Sequence, residues 1–112
     1  MKTAHRAVLV LAAVAAFAGS GSSVYAAGNV EAGRVKANTC MGCHGIPNYN
    51  NVYPTYRVPR LGGQHPEYIV AALKEYREGN RPHLTMRAQT TNMSDQDIED
   101  IAAYLAKAPA HP

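Results

Sequence analysis

Three stretches of this chain repeat apolar residues at helical spacing, separated by segments rich in proline, glycine and asparagine. The first covers residues 29–39, where Val30, Gly33 and Ala37 fall on one face that runs on to Cys40. Asn29 has the side chain of an N-cap. Gly33 in mid-helix costs stability relative to alanine, which marks a place where another element comes close. The second, Pro66–Glu78, is the clearest. Pro66 suits a first helical turn, Ile69, Ala72, Leu73 and Tyr76 form an apolar stripe, and Gly79 suits a C-terminal cap. The third covers residues 94–108. Ser94 and Asp97 match a capping box, Met93 and Ile98 stand at hydrophobic-staple spacing, and Ile98, Ile101, Ala102 and Leu105 make the buried face up to Pro109. Residues 45–64 carry Pro47, Pro54, Pro59 and Gly62-Gly63 and read as one long loop, a length that is usually functional or wrapped around something. Its Tyr49, Tyr53 and Tyr56 suit either the edge of a buried group or half-exposed loop positions. No strand-like alternation of useful length and no internal repeat is present, so the pattern predicts an all-α domain.

The first 26 residues follow a different logic. Lys2 and Arg6 precede an apolar run over residues 7–19, and Val24-Tyr25-Ala26 resembles a small-residue cleavage site. Together these predict a secretory signal peptide over 1–26 and a mature domain over 27–112. The apolar run is short of the roughly 18–20 residues a spanning helix needs, so no stable membrane insertion is expected once the leader is removed. The 86 residues from Ala27 to Pro112 then contain neither tryptophan nor phenylalanine, because Phe17 goes with the leader. A chain of that size buries little core and usually needs a staple. Charge changes the picture less. The net charge of +3 loses Lys2 and Arg6 with the leader, leaving 9 basic against 8 acidic side chains. That near balance excludes the basic footprint of a nucleic-acid binder. The charges are unevenly spread: Arg57, Arg60, Lys74, Arg77, Arg81 and Arg87 occupy the middle, while Asp95, Asp97, Glu99 and Asp100 crowd the last helix.

The chemistry concentrates in Cys40-Met41-Gly42-Cys43-His44. Two cysteines three apart, followed at once by histidine, form the c-type haem attachment pentad. Each thiol can add to one vinyl group of a haem, and the adjoining imidazole can then bind the iron. Three other readings compete. A thioredoxin-like pair needs an adjoining strand-to-helix pattern, and none precedes Cys40. A structural zinc site wants further ligands at related spacing, whereas this chain has two cysteines and scattered histidines at His65, His83 and His111. A plain disulfide leaves His44 without a role. A covalently held haem also supplies the staple that the small core lacks.

With Pro59-Arg60-Leu61-Gly62-Gly63-Gln64, the helix from Tyr68 to Tyr76, Gly79-Asn80-Arg81, Met86 and Ser94-Asp95-Gln96-Asp97-Ile98 added to the pentad, the chain resembles the class I c-type cytochromes. It is most similar to the small monohaem bacterial type that looks like one half of the dihaem periplasmic cytochromes. The resemblance implies the class I cytochrome c fold, with three main helices and long loops wrapped around one haem c. It implies that Cys40 and Cys43 carry the haem, that His44 is the proximal iron ligand, and that the Pro59 carbonyl takes the other ring nitrogen of His44. Leu61 is implied to pack on the porphyrin, and Gly33 and Tyr104 to mark the crossing of the first and last helices. Met41 lies inside the attachment turn and cannot reach the opposite haem face, and Met93 is better used as the staple. Met86, in a non-helical approach segment, stands at the family's distal ligand position; His83, three residues earlier, is the alternative. His65 reads as a helix-start residue. The tyrosine-rich loop is longer than in the simplest family pattern, and nothing in it identifies a docking partner.

An iron ligated on both faces leaves one-electron transfer as its chemistry. The expectation is therefore a soluble periplasmic electron carrier, not an enzyme, monomeric, exchanging electrons with redox partner proteins. A haem subunit of a larger dehydrogenase or oxidase complex is the alternative, and a peroxidase-like or ligand-binding haem protein a further one. Arg81 and Arg87 flank Met86 and suit either an acidic docking partner or the haem propionates. A Cys43→Ser variant tests the pentad. It is expected to lose normal covalent attachment and accumulate poorly, as read by intact mass and visible absorbance, whereas a normal, stable holoprotein would overturn the two-thioether reading.

Overall fold

Asn29 opens the first helix by capping it: its Oδ1 accepts from the Ala32 amide at 3.0 Å. The computed structural model describes residues 27–109; the predicted leader over 1–26, and His111 near the other end, lie outside the described residues. Helix α1 spans Val30–Lys36 and helix α2 Asn38–His44, separated only by Ala37. The amides of Ala37, Cys40 and Met41 still bond to carbonyls three or four residues back, so the ladder carries through the joint. The pentad therefore sits in a helix rather than on a tight turn beyond one. Periodicity stops short of it because Gly42 is a poor helix former.

Residues 45–64 are not structureless, which corrects the sequence expectation. Strands β1 (Asn50–Val52) and β2 (Thr55–Arg57) pair antiparallel with Asn51 opposite Tyr56. Three-residue strands are too short to show an alternating pattern. The turn at Tyr53-Pro54 is held by Asn51 Nδ2 donating to the Pro54 carbonyl and Thr55 Oγ1 to that of Val52, each at 2.8 Å.

Helix α3 (Pro66–Glu78) begins on its proline and ends at Gly79, whose φ of +82° closes the C-terminus with its amide on the Tyr76 carbonyl. The segment expected to approach Met86 without helix is helix α4, Leu84–Thr90. His83 caps it, and the fully buried Thr90 turns its hydroxyl back onto the Met86 and Arg87 carbonyls. Helix α5 (Asp95–Lys107) carries the complete capping box of Ser94 and Asp97. Among the described residues, five helices and one small hairpin make a mostly helical fold, as the resemblance to the class I cytochromes implies, with α1–α2, α3 and α5 as its main helical runs.

The core is one cluster: Ala37, Ile69 and Leu73 meet Ile98, Ile101, Ala102 and Leu105 of α5. Met93 packs half-buried against the same cluster, as a staple to Ile98 predicts. The position of α1 across α5 is set by Gly33. A β-carbon there would run into the Asp100 carbonyl and stand 2.8 Å from Cβ of Tyr104. The glycine that weakens the helix is what lets the backbones meet.

Beside that crossing lies Asp100, only 3 % exposed. A buried carboxylate survives only when paired and hydrogen-bonded. Asp100 accepts from Lys36 Nζ at 2.6 Å, the Asn29 amide at 2.7 Å and Gln96 Nε2 at 2.8 Å. Lys36 also pairs with Asp97 at 2.8 Å. On the other side of α5, Arg77 holds Asp95 at 2.7 Å and donates to the Met93 carbonyl at 2.9 Å. Much of the uneven charge along the chain is thereby resolved as ion pairs between α5 and its two neighbours.

The Lys36 ammonium, followed by the Ser94 backbone and hydroxyl, holds the Asp97 carboxyl at about 2, against an ordinary 3.8. Lys36, then the Asn29 amide, holds Asp100 low as well. A carboxyl depressed in the folded state contributes stability above its unfolded value and loses it as pH falls. Thermal melts are therefore expected to weaken from about pH 4 towards pH 2, and Lys36→Gln to flatten that limb relative to the parent. An unchanged acid limb in Lys36→Gln would remove Lys36 as its cause. Gly33→Ala is expected to destabilise by about 1–3 kcal/mol in denaturant unfolding, from overpacking at the helix crossing.

Candidate functional site

Helix α2 presents Cys40, Cys43 and His44 to one wall of a cavity of about 390 Å³. Successive cysteines at i and i+3 lie on the same face of a helix, so the helical pentad aims both sulfurs to one side. No disulfide joins them, which removes that reading of the pair. Before attachment, burial holds the Cys40 thiol above its ordinary value.

The floor of the cavity is Ile69 and Leu73 from α3 with Ile101 and Leu105 from α5. The α3 stripe therefore serves both the core and the cavity, which periodicity alone could not separate. Segment 58–64 forms a further wall. Leu61 lines it and packs on the core. The Gly63 amide donates to the Leu105 carbonyl at 3.0 Å, and Gln64 Nε2 to the Arg60 carbonyl at 2.6 Å. Gly62 lies against the Pro109 carbonyl, where a side chain would collide.

That segment delivers the Pro59 carbonyl to His44. Their separation, Nδ1 to O, is 2.6 Å. A carbonyl oxygen only accepts, so Nδ1 carries the ring proton and the lone pair is left on Nε2. A histidine fixed in that tautomer by a backbone acceptor is prepared to bind a metal through its other nitrogen.

Met86 lines the same cavity from α4. So do His83 and Met93, the latter expected only to pack. Met41 belongs to the core cluster and is not among the cavity-lining residues. Among the three loop tyrosines, Tyr56 lines the cavity, while Tyr53 stands 96 % exposed on the hairpin turn. Arg81 lines it too: its guanidinium lies 4.8 Å from the Tyr76 ring centre and donates to the Tyr68 hydroxyl at 3.4 Å. Arg87 instead lies against Gly79. His65 caps α3 by position without a side-chain hydrogen bond.

An apolar cavity with a few convergent polar groups is the form of a cofactor site. Its donor set is two thiols, the imidazoles of His44 and His83, and the thioethers of Met86 and Met93. These fit a porphyrin bonded through sulfur with nitrogen and sulfur available to its iron. Zinc is a poorer fit, because no group of three or more His, Cys, Asp or Glu side chains is placed to hold a metal among the described residues.

Comparison with known proteins gives the family. The family model described as cytochrome c matches residues 30–109. Cytochrome c4 of Pseudomonas aeruginosa is 42% identical over 82 residues, covering 73% of this chain and 39% of that protein. Cytochrome c-554(548) of Halomonas halodenitrificans is 40% identical over 81 residues, covering 70% of this chain and 94% of that protein. The crystal structure of reduced recombinant cytochrome c4 from Pseudomonas stutzeri superposes with a TM-score of 0.58 at 27% identity, over 71% of this chain and 48% of that one. The chain thus spans about two fifths of the length of the curated cytochrome c4 relative and nearly all of the cytochrome c-554(548).

Proposed function

This chain belongs to the cytochrome c family, and from that membership we propose that it is a periplasmic carrier of single electrons whose iron is held by His44 and Met86. Membership brings a covalent haem c with iron, and Cys40 and Cys43 stand in the attachment pattern. When bound, the haem supplies a one-electron ferric–ferrous couple.

The rest is the work of the chain's own residues. Cys40 and Cys43 would anchor the group, and Pro59 keeps the His44 proton on Nδ1, which leaves the Nε2 lone pair to hold the iron. Met86 offers a thioether, which favours the reduced state more than a second nitrogen does. Ile69, Leu73, Ile101 and Leu105 keep water from that side of the site and disfavour the extra positive charge of the oxidised state. With His44 and Met86 both holding the iron, no position would be left for substrate, so the reading is a carrier rather than an enzyme. The observation that carries it is the convergence of His44, oriented by Pro59, and Met86, from a different helix, on one apolar cavity.

Among the described residues no helix is long and apolar enough to cross a membrane. We read residues 1–26 as a leader removed on export, the domain 27–112 as the working carrier, and the periplasm as its place. A carrier must bind and release its redox partners quickly, which calls for small, wet contact surfaces below about 1,200 Å².

Met86→Ala tests the ligand set. The variant is expected to keep its covalent haem while its reduction potential drops and its iron becomes open to added imidazole or carbon monoxide. The checks are intact mass, potentiometry and the far-red sulfur-to-ferric-iron band. A variant that keeps the parent spectrum and potential would remove Met86 from the iron.

A further inference from the structure

Helix α4 has seven residues, too few to be stable by itself in water, yet it carries Met86. Something outside the helix must hold it in place. Its far end is secured by the complete burial of Thr90. Its exposed end begins at Leu84, which is 84 % exposed and supplies no anchorage.

His83 is built to supply it. Its backbone is extended (φ −157°, ψ 101°), as an N-cap requires, and its Nδ1 accepts from the amide of Met86 itself at 3.4 Å. That bond is long and therefore weak, but the ring is fixed on two sides. The Tyr56 ring of β2 stands edge-on to it at 4.6 Å and 79°, and the Tyr76 ring of α3 at 6.1 Å and 78°. Both are the edge-to-face geometry that aromatic rings favour. Tyr56 adds a second tie, donating from its hydroxyl to Thr85 Oγ1 at 3.1 Å. The imidazole thus joins the hairpin, α3 and the first turn of α4 at the residue whose sulfur is proposed to meet the iron.

We infer that His83 is a positioning residue for Met86, holding the thioether in register by capping its amide while wedged between Tyr56 and Tyr76. The inference rests on the reading of Met86 as the distal ligand. A side chain that positions a ligand sets the fraction of molecules in which that ligand is bound. Its loss therefore shows as easier entry of a competing ligand.

The test uses the ferric holoprotein and free imidazole as the probe, with His83→Phe, His83→Asn and Met86→Ala. His83→Phe keeps a ring between the tyrosines and removes the acceptor. His83→Asn keeps a capping acceptor and removes the ring. His83→Phe is expected to bind imidazole about three- to tenfold more tightly than the parent and to weaken the far-red sulfur-to-iron band, the range following from loss of an N-cap. His83→Asn, with its cap restored, is expected to fall between the two and serves alone if the phenylalanine variant does not fold. Parent-like imidazole affinity and band in both variants, while Met86→Ala opens the iron, would overturn the role of His83 and leave the ligand set intact. A Met86→Ala protein that keeps its low-spin spectrum while the His83 variants lose theirs would make His83 the ligand and overturn both readings.

Discussion

The contact on which the structure depends is the meeting of two backbones, α1 at Gly33 and α5 at Asp100. Only one residue separates α1 from α2, so wherever α1 is laid across α5, the pentad follows within a turn or two. The placement of two sulfurs and an imidazole thus descends from the lack of a side chain at Gly33. The cost of that glycine to the helix, up to about 1 kcal/mol, is small against a crossing that no larger residue permits without displacement.

Asp100 makes the crossing specific. Its buried carboxylate takes a proton donor from each participant: the Asn29 amide and Lys36 from the first helix, Gln96 from its own. A slid or rotated α1 would leave a charge without partners in an apolar setting, which is far more costly than the pairing is favourable. An apolar residue at that place could fill space as well, but it would accept several registers. Register is what the site needs, because a shift of one residue in α1 turns the pentad by about 100° around its axis.

Several features were legible from residue types because they are local. The caps at Asn29, Ser94 and Gly79, the proline start of α3 and the stripes of α3 and α5 all obey rules acting within a few residues. So did the pentad, whose spacing is its own signature. The extension of helix through the pentad was not legible, since Gly42 speaks against it and the ladder through Ala37 decides it. Helix α4 failed for a similar reason: nothing in Leu84–Thr90 repeats often enough to reveal a helix that His83, Thr90 and packing on α3 impose. The hairpin was invisible because two three-residue strands cannot display a period. Met93 shows a different limit, since an apolar residue at a staple position can also face a cavity.

The segment between the pentad and α3 ties these failures together. At its far end Pro59 hands a carbonyl to His44. Two residues into β2 from the hairpin turn, Tyr56 reaches the ring of His83 and the hydroxyl of Thr85 at the head of α4. One stretch of chain therefore touches the supports of both side chains proposed to hold the iron, although it supplies neither. The paired strands matter here because they stiffen it: with Asn51 opposite Tyr56, the tyrosine cannot move without dragging its neighbour. A flexible loop of the same length would reach both places, but only transiently. The hairpin is accordingly better understood as a brace between Pro59 and the head of α4 than as a decorated loop, and its exposed turn at Tyr53 is the outer end of that brace.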